Sequence, residues 1–359
     1  MRPDGTRVKG LTPIVQALPY IMPKRFDAQN WASDYVDEEI IKQYIRQKRR
    51  QGQIVTHMSV LAAAYYKAAL ENPKVNYFVM NRKVYRRNHF CFSFVILKTR
   101  ADGTPDETAL KVFLEPGDDV FTISRKIREH VERNQNAAHN NRTDRFANLA
   151  FSIPGLARCV FGLAYHLDQH GLLPRWIIDL SPFHTSLFIT NLASINTRFI
   201  FHHCYEFGTT SVFICMGKPV PDPEAPSGSR KKLLPLGVVM DERIATGIEY
   251  SRFFAAFERY LKQPELLEKR LGTECLVGKG GRRHGTGDLQ ADVGVADAHA
   301  AVYPCLGKMD FAGCGNRACL RRGGLCVPHR RGGGNHAAPA ASVAAVVPSG
   351  GGFAGGVHL

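Results

Sequence analysis

Leu236-Gly237-Val238-Val239-Met240-Asp241-Glu242-Arg243-Ile244-Ala245-Thr246-Gly247 is the stretch that decides the fold. The apolar run that opens it is too short for a helix and is rich in β-branched residues, so it reads as a buried strand. Charge arrives abruptly at Asp241, where such a strand must leave the core. Past Gly247 the period changes. Phe253, Phe254, Phe257 and Leu261 share one face of a helix predicted over about 248–262. That helix stops at Gln263-Pro264, because a residue before proline disfavours helical dihedrals.

Further strands lie upstream. Ser186–Thr190 and Ser211–Met216 are apolar, β-branched runs, and Pro219–Lys232 is a Pro/Gly/Ser/Lys loop leading into the strand at 236. Phe90–Leu97 and Leu110–Leu114 make a predicted hairpin around Ala101-Asp102-Gly103; Lys83-Val84-Tyr85 is a shorter strand. Helices are predicted from about Asp37 to Arg50, from Ser59 to Leu70, and over roughly 119–137. The first has Asp37, Glu38 and Glu39 in its opening turn and Lys48, Arg49 and Arg50 at its close, before Gly52. Acid at the start and base at the end suit the helix dipole, and glycine suits the exit. Residues 146–180 predict two short helices, around Ala157–Leu167 and Pro174–Leu180, packed on the core. Contact of this segment with a membrane surface is the sharper alternative, but Arg158 and His166 are few charges for a basic anchor. Residues 1–20 carry little pattern and read as an N-terminal arm. Strands and helices mix without strict alternation, so an α+β two-layer sandwich with a mixed sheet covered by helices is expected.

The composition breaks near residue 271. Of the 33 glycines, 13 fall in 1–271 and 20 in 272–359, and the last 88 residues hold three aromatics. A segment of that kind cannot bury enough apolar surface to offset its chain entropy, so 272–359 is expected to be a disordered Gly/Ala/Arg-rich tail behind a domain at 21–271. The whole chain has 359 residues and a formal charge of +15. Nine cysteines are too sparse for a disulfide scaffold. With no apolar segment of signal or spanning type at the N-terminus or elsewhere, a cytosolic protein is expected.

Familiar catalytic signals are absent: there is no phosphate-binding Gly-x-x-x-x-Gly-Lys loop and no Gly-x-Ser-x-Gly elbow. Cys314, Cys319, Cys326 and His329 lack the close cysteine pairs of zinc modules, so no metal is expected. The basic run Lys42–Arg50 and the pair Arg86-Arg87 lack exposed stacking aromatics beside them. A solvated helix face is the plainer reading, contact with an anionic cofactor or acidic partner the next, and nucleic acid is not the expected partner.

The stretch from Leu236 to Leu267 resembles the C-terminal signature of the acyltransferase component of 2-oxoacid dehydrogenase complexes, whose catalytic domain shares the chloramphenicol acetyltransferase fold. That family writes Asp-His-Arg-x-x-Asp-Gly after the strand, then an aromatic helix ending near Pro-Glu. Asp241, Arg243, Gly247 and Pro264-Glu265 match in place. Asn72-Pro73-Lys74-Val75-Asn76 resembles the family's Pro-x-x-Asn segment. Phe188-Ile189-Thr190-Asn191-Leu192 resembles its Thr-Ile-Ser/Thr-Asn-Leu-Gly strand end, with Ala193 in the place of the glycine. Gly208–Ile214 and Gly217 resemble its next strand. These anchors run in order over 21–271.

The resemblance implies acyl transfer between coenzyme A and a thiol or other small acceptor, in a channel between the subunits of a homotrimer. The domains that carry lipoyl groups and bind peripheral subunits have no counterpart here, so no bound lipoyl group is expected. Two departures fall on the chemistry. The family's catalytic histidine, a general base for the thiol, falls on Glu242, and the motif aspartate falls on Thr246. A thiol titrates near ~8.5 and free imidazole near ~6.5, a reasonable match; a free glutamate at ~4.3 is a much poorer base. Thr190, beside Asn191, carries over as the strand-end hydroxyl that helps hold the tetrahedral oxyanion. Arg25 takes the place of the arginine that pairs with the motif aspartate, a pair that Thr246 would abolish. His184, His202 and His203 lie near Thr190 in sequence as substitute bases, with surface or structural roles as the plainer reading. Weakened acyl transfer is the leading expectation. The alternative is a pseudoenzyme, a non-catalytic homologue that binds acyl-CoA or acts as a scaffold or regulator.

Overall fold

The computed structural model describes residues 2–99, 103, 105–136, 152 and 154–269. The chain divides into two compact units, 1–280 and 281–359. The second, and with it the expected tail at 272–359, lies outside the described residues.

Strand β1 (Gly5–Arg7) and helix α1 (Pro13–Ile21) form the arm. Strand β2 (Gln29–Asp37) leads directly into helix α2 (Glu38–Arg50), and helix α3 (His57–Glu71) follows. Then come strands β3 (Tyr77–Met80), β4 (Lys83–Arg87), β5 (Phe90–Thr99) and β6 (Pro105–Leu114), and helix α4 (Val120–Asn136). Helices α5 (Leu156–Gln169) and α6 (Arg175–Leu180) precede strands β7 (Leu187–Asn191), β8 (Val212–Met216), β9 (Val220–Pro221) and β10 (Lys232–Asp241). Helix α7 (Gly247–Lys262) closes the described domain with a short turn, Pro264–Glu268.

The main sheet has seven strands in the order β2-β10-β8-β7-β5-β6, with β9 on β10. It is mixed: β5 with β7 and β7 with β8 run parallel, and the other pairs antiparallel. Leu236, Val238 and Met240 of β10 join Leu187 and Ile189 of β7 and Val212 and Ile214 of β8 in the large core. Tyr44, Tyr65, Phe253 and Phe257 of the covering helices lie in the same cluster. Phe188, Phe213 and Val239, one residue out of step, form a second cluster with Cys204. The period of two thus divides the sheet between a helical layer and a loop layer. The expected α/β sandwich is the observed one.

The helix signals translate closely. Asp37 accepts a hydrogen bond from the Glu39 N–H at 2.9 Å as the cap of α2, and Gly52 leaves it at φ +76°. Lys67 of α3 is buried, and its Nζ donates to the Leu266 carbonyl at 2.8 Å and to that of Lys269. Burial lowers its pKa to about 8.

Three expectations are corrected. The arm has structure: β1 pairs with β4, and Arg2 is 5% exposed. Its guanidinium reaches Asp4 at 2.9 Å and Asp168 at 2.6 Å, and Asp168 Oδ2 lies 3.1 Å from His184 Nε2. This pairing is long-range and leaves no local period. Second, the expected basic surface is partly internal. Arg87 is buried and donates to the Thr209 hydroxyl at 2.8 Å, and Lys48 is buried against Glu268 at 2.8 Å. Third, both helices exist as expected, and α6 buries Ile178, but α5 is not packed by its apolar side chains. The buried residue of α5 is Asp168, while Phe161, Leu163, Trp176 and Leu180 are exposed. In α5, polar anchoring through Asp168 has replaced apolar burial.

Candidate active site at the end of strand β10

Strand β10 delivers Asp241 to the rim of the sheet opposite Gln29 of β2, and its N–H donates to the Ser211 carbonyl at 2.9 Å. The Asp241 side chain is fully buried. It accepts from the Arg243 N–H at 3.1 Å, from Arg243 Nε at 2.8 Å and from a terminal nitrogen of Arg243 at 2.7 Å. Arg243 reaches onward to the carbonyls of Met22 at 3.1 Å and Pro23 at 3.3 Å. Burial alone would lower the pKa of this guanidinium, but the hydrogen bond and charge of Asp241 outweigh it and raise it instead. Tyr250 of α7 donates its hydroxyl to the Asp241 carbonyl at 2.7 Å. The motif's aspartate and arginine therefore act as a bracket that fixes the loop between strand and helix.

Glu242 stands between the two bracket residues and is exposed. Its N–H donates to the Ala28 carbonyl at 2.8 Å. Thr246 is exposed at the start of α7, where its N–H donates to Glu249 at 2.7 Å. Gly247 has open space where a Cβ would stand, so no neighbour in this chain demands glycine there. Arg25 is buried, and it keeps a carboxylate partner: its Nε lies 3.5 Å from Asp241. Its partner is the strand-end aspartate and not residue 246. The guanidinium also donates to the carbonyls of Val79 at 3.0 Å, Gly208 at 3.2 Å and Tyr205.

Thr190 and Asn191 lie elsewhere. Thr190 is opposite Cys215 in β8, which is opposite Gly237 in β10. Asp241 is four residues further along β10, in the direction away from the Thr190 row. At ~3.3 Å per residue and ~4.8 Å per strand the two are about 16 Å apart within the sheet. Thr190 is half-buried, and Asn191 Oδ1 accepts from the Ser194 N–H at 3.2 Å in the turn that follows β7. The strand-end hydroxyl and the motif loop are thus at opposite ends of the sheet in one chain.

The histidines separate as well. His184 is wholly buried between Ser181 at 2.8 Å and Asp168, far inside the anchor of the arm. His202 stacks on Phe213 at 4.3 Å, and burial, with His203 nearby, lowers its pKa. His203 is exposed, with its ring 5.9 Å from that of Phe26. Cys204 is buried, and burial pushes its thiol up to about 12, so it offers no nucleophile. Gly208 is a forced glycine: at φ +89° a Cβ would stand 2.3 Å from the Phe183 carbonyl oxygen. Sequence reasoning named the bracket and Arg25, but not the pairing of Arg25 with Asp241 and not Tyr250. Among the described residues there is no cluster of three metal-ligating side chains and no helix long and apolar enough to cross a membrane.

No protein-family model matches the chain, and no curated protein matches it. Solved structures do. A probable dihydrolipoamide acetyltransferase from Listeria monocytogenes is similar at 13% identity and a TM-score of 0.43, over 72% of this chain and 95% of the other. A chloramphenicol acetyltransferase is similar at 12% identity and a TM-score of 0.44, over 72% and 100%. A truncated catalytic core of the 2-oxoacid dehydrogenase multienzyme complex from Thermoplasma acidophilum is similar at 12% identity and a TM-score of 0.43, over 72% and 99%. Each is a resemblance in fold.

Proposed function

We propose that the chain is an acyltransferase-family protein that moves an acyl group between coenzyme A and a thiol or other small acceptor, at a rate lowered by Glu242 and Thr246. The observation that carries this reading is the bracket. Asp241 and Arg243 stand at their motif positions, fully engaged and buried, and hold the intervening residue exposed at the mouth of the loop. That is the support a proton acceptor at position 242 would need. The acid now there is a weaker match for a thiol, while the strand-end hydroxyl of Thr190 is retained for the oxyanion, a role whose loss costs ~10²–10³ in rate where it operates.

Thr190 and Glu242 are too far apart in one chain to meet at one acyl carbon. A centre using both draws them from two copies, in keeping with the homotrimer that the motif resemblance implies. A non-catalytic, acyl-CoA-binding or scaffolding role is the second reading, favoured by the replacement of the imidazole itself. Coenzyme A-dependent acyl transfer by the full chain separates them, with Glu242→Gln and the double variant Glu242→His/Thr246→Asp run in parallel. Turnover in the parent, raised about ten-fold or more by the double variant, is expected. Coenzyme A binding without turnover in the parent, and turnover gained only by the double variant, selects the second reading.

A further inference from the structure

We propose that His203 is the proton acceptor of this site, an imidazole brought to the motif loop by a different segment of the chain; the inference rests on the acyl-transfer reading above. The segment from His202 to Gly208 is laced to the motif end of the sheet at several points. The Gln29 side chain donates to the Cys204 carbonyl at 3.3 Å, and Gln29 is the register partner of Asp241. Arg25, which reaches Asp241 with one nitrogen, holds the carbonyls of Tyr205 and Gly208 with another. The Phe26 N–H donates to Glu206 Oε1 at 2.8 Å.

His203 and Glu242 both contact the same short turn, Phe26–Ala28. The His203 ring packs near the Phe26 ring, while the Glu242 N–H is bonded to the Ala28 carbonyl. Adjacent histidines have diverged. His202 lies flat on Phe213 with its Nε2 buried, and His203 is turned outward to solvent. The Arg25 and Arg243 guanidinium groups at this end of the sheet are both committed to Asp241. The second clustered imidazole, His202, faces the core.

The step balances without a further reactant. A His203 ring nitrogen takes the proton of the acceptor thiol. The thiolate sulfur bonds to the acyl carbon of the thioester, and the bond from that carbon to the coenzyme A sulfur breaks. The departing thiolate recovers the proton from the imidazolium. General-base contributions of this kind are worth ~10²–10⁴ in rate.

The test uses the full chain, acetyl-coenzyme A and dihydrolipoamide, with coenzyme A binding followed separately by calorimetry. His203→Gln should bind coenzyme A as the parent does and lose about 100-fold or more in turnover. His203→Ala should regain turnover when free imidazole is added, which a merely structural role would not give. His170→Gln, on the exposed end of α5, should match the parent. Turnover in His203→Gln within about three-fold of the parent overturns the assignment, and so does a parent that binds coenzyme A without turning over. Failure of every form to bind coenzyme A overturns the acyl-transfer reading itself, and this assignment with it.

Discussion

Asp241 serves two guanidinium groups from a position with no access to water. Replacing it with alanine strands two buried cations, and breaking a buried pair from one side costs ~3–5 kcal/mol. Asp241→Ala should therefore lose that much in urea unfolding at pH 7. Glu242→Ala, one residue on but exposed, should stay within ~0.5 kcal/mol of the parent. The same pair of residues marks how far the sequence could be read. The motif spacing located Asp241, Arg243 and the exposed position between them. It could not show that Arg25 answers Asp241 rather than position 246, because Arg25 arrives from the far end of the domain and a local pattern says nothing about such a meeting. His203 went undistinguished from His202 for a similar reason: only the stacking of one ring on Phe213 separates their surroundings.

Elements with a period were legible, and elements held by polar bonds were not. Helix α2 follows from its acid start and basic close, and β10 from its apolar run. The arm and α5 are joined by Arg2, Asp4, Asp168 and His184, four buried polar groups that carry no period at all. Burial alone would raise the pKa of Asp4 and of Asp168. Hydrogen bonds from Arg2 and, for Asp168, from His184 outweigh burial and leave both carboxyls below their ordinary value. Such groups stabilise the fold above the unfolded pKa of ~3.9, and that contribution is lost as the pH falls through the lower folded values. Stability should thus decline below about pH 4, and Asp168→Asn should flatten that decline while lowering stability at pH 7. Hydrogen exchange should show residues 5–7 losing protection first in the variant. An unchanged exchange pattern at β1 would refute the anchoring role of Asp168.

At the scale of the whole molecule, the sheet sets Thr190 and the motif loop about 16 Å apart. If one active centre needs both ends, then two copies each defective at a different end should mend one another. Co-expressed Thr190→Ala and His203→Gln chains should show more turnover than either alone, because some interfaces in a mixed oligomer are intact on both sides. Equal turnover in the mixture and the separate variants would place each centre within one chain. Sizing of the parent should give a trimer. With a centre shared between copies, catalytic competence would be tied to how much of the protein is present. Below the concentration at which copies associate, folded and undamaged chains would be idle, and a modest change in expression would alter output per molecule as well as the number of molecules.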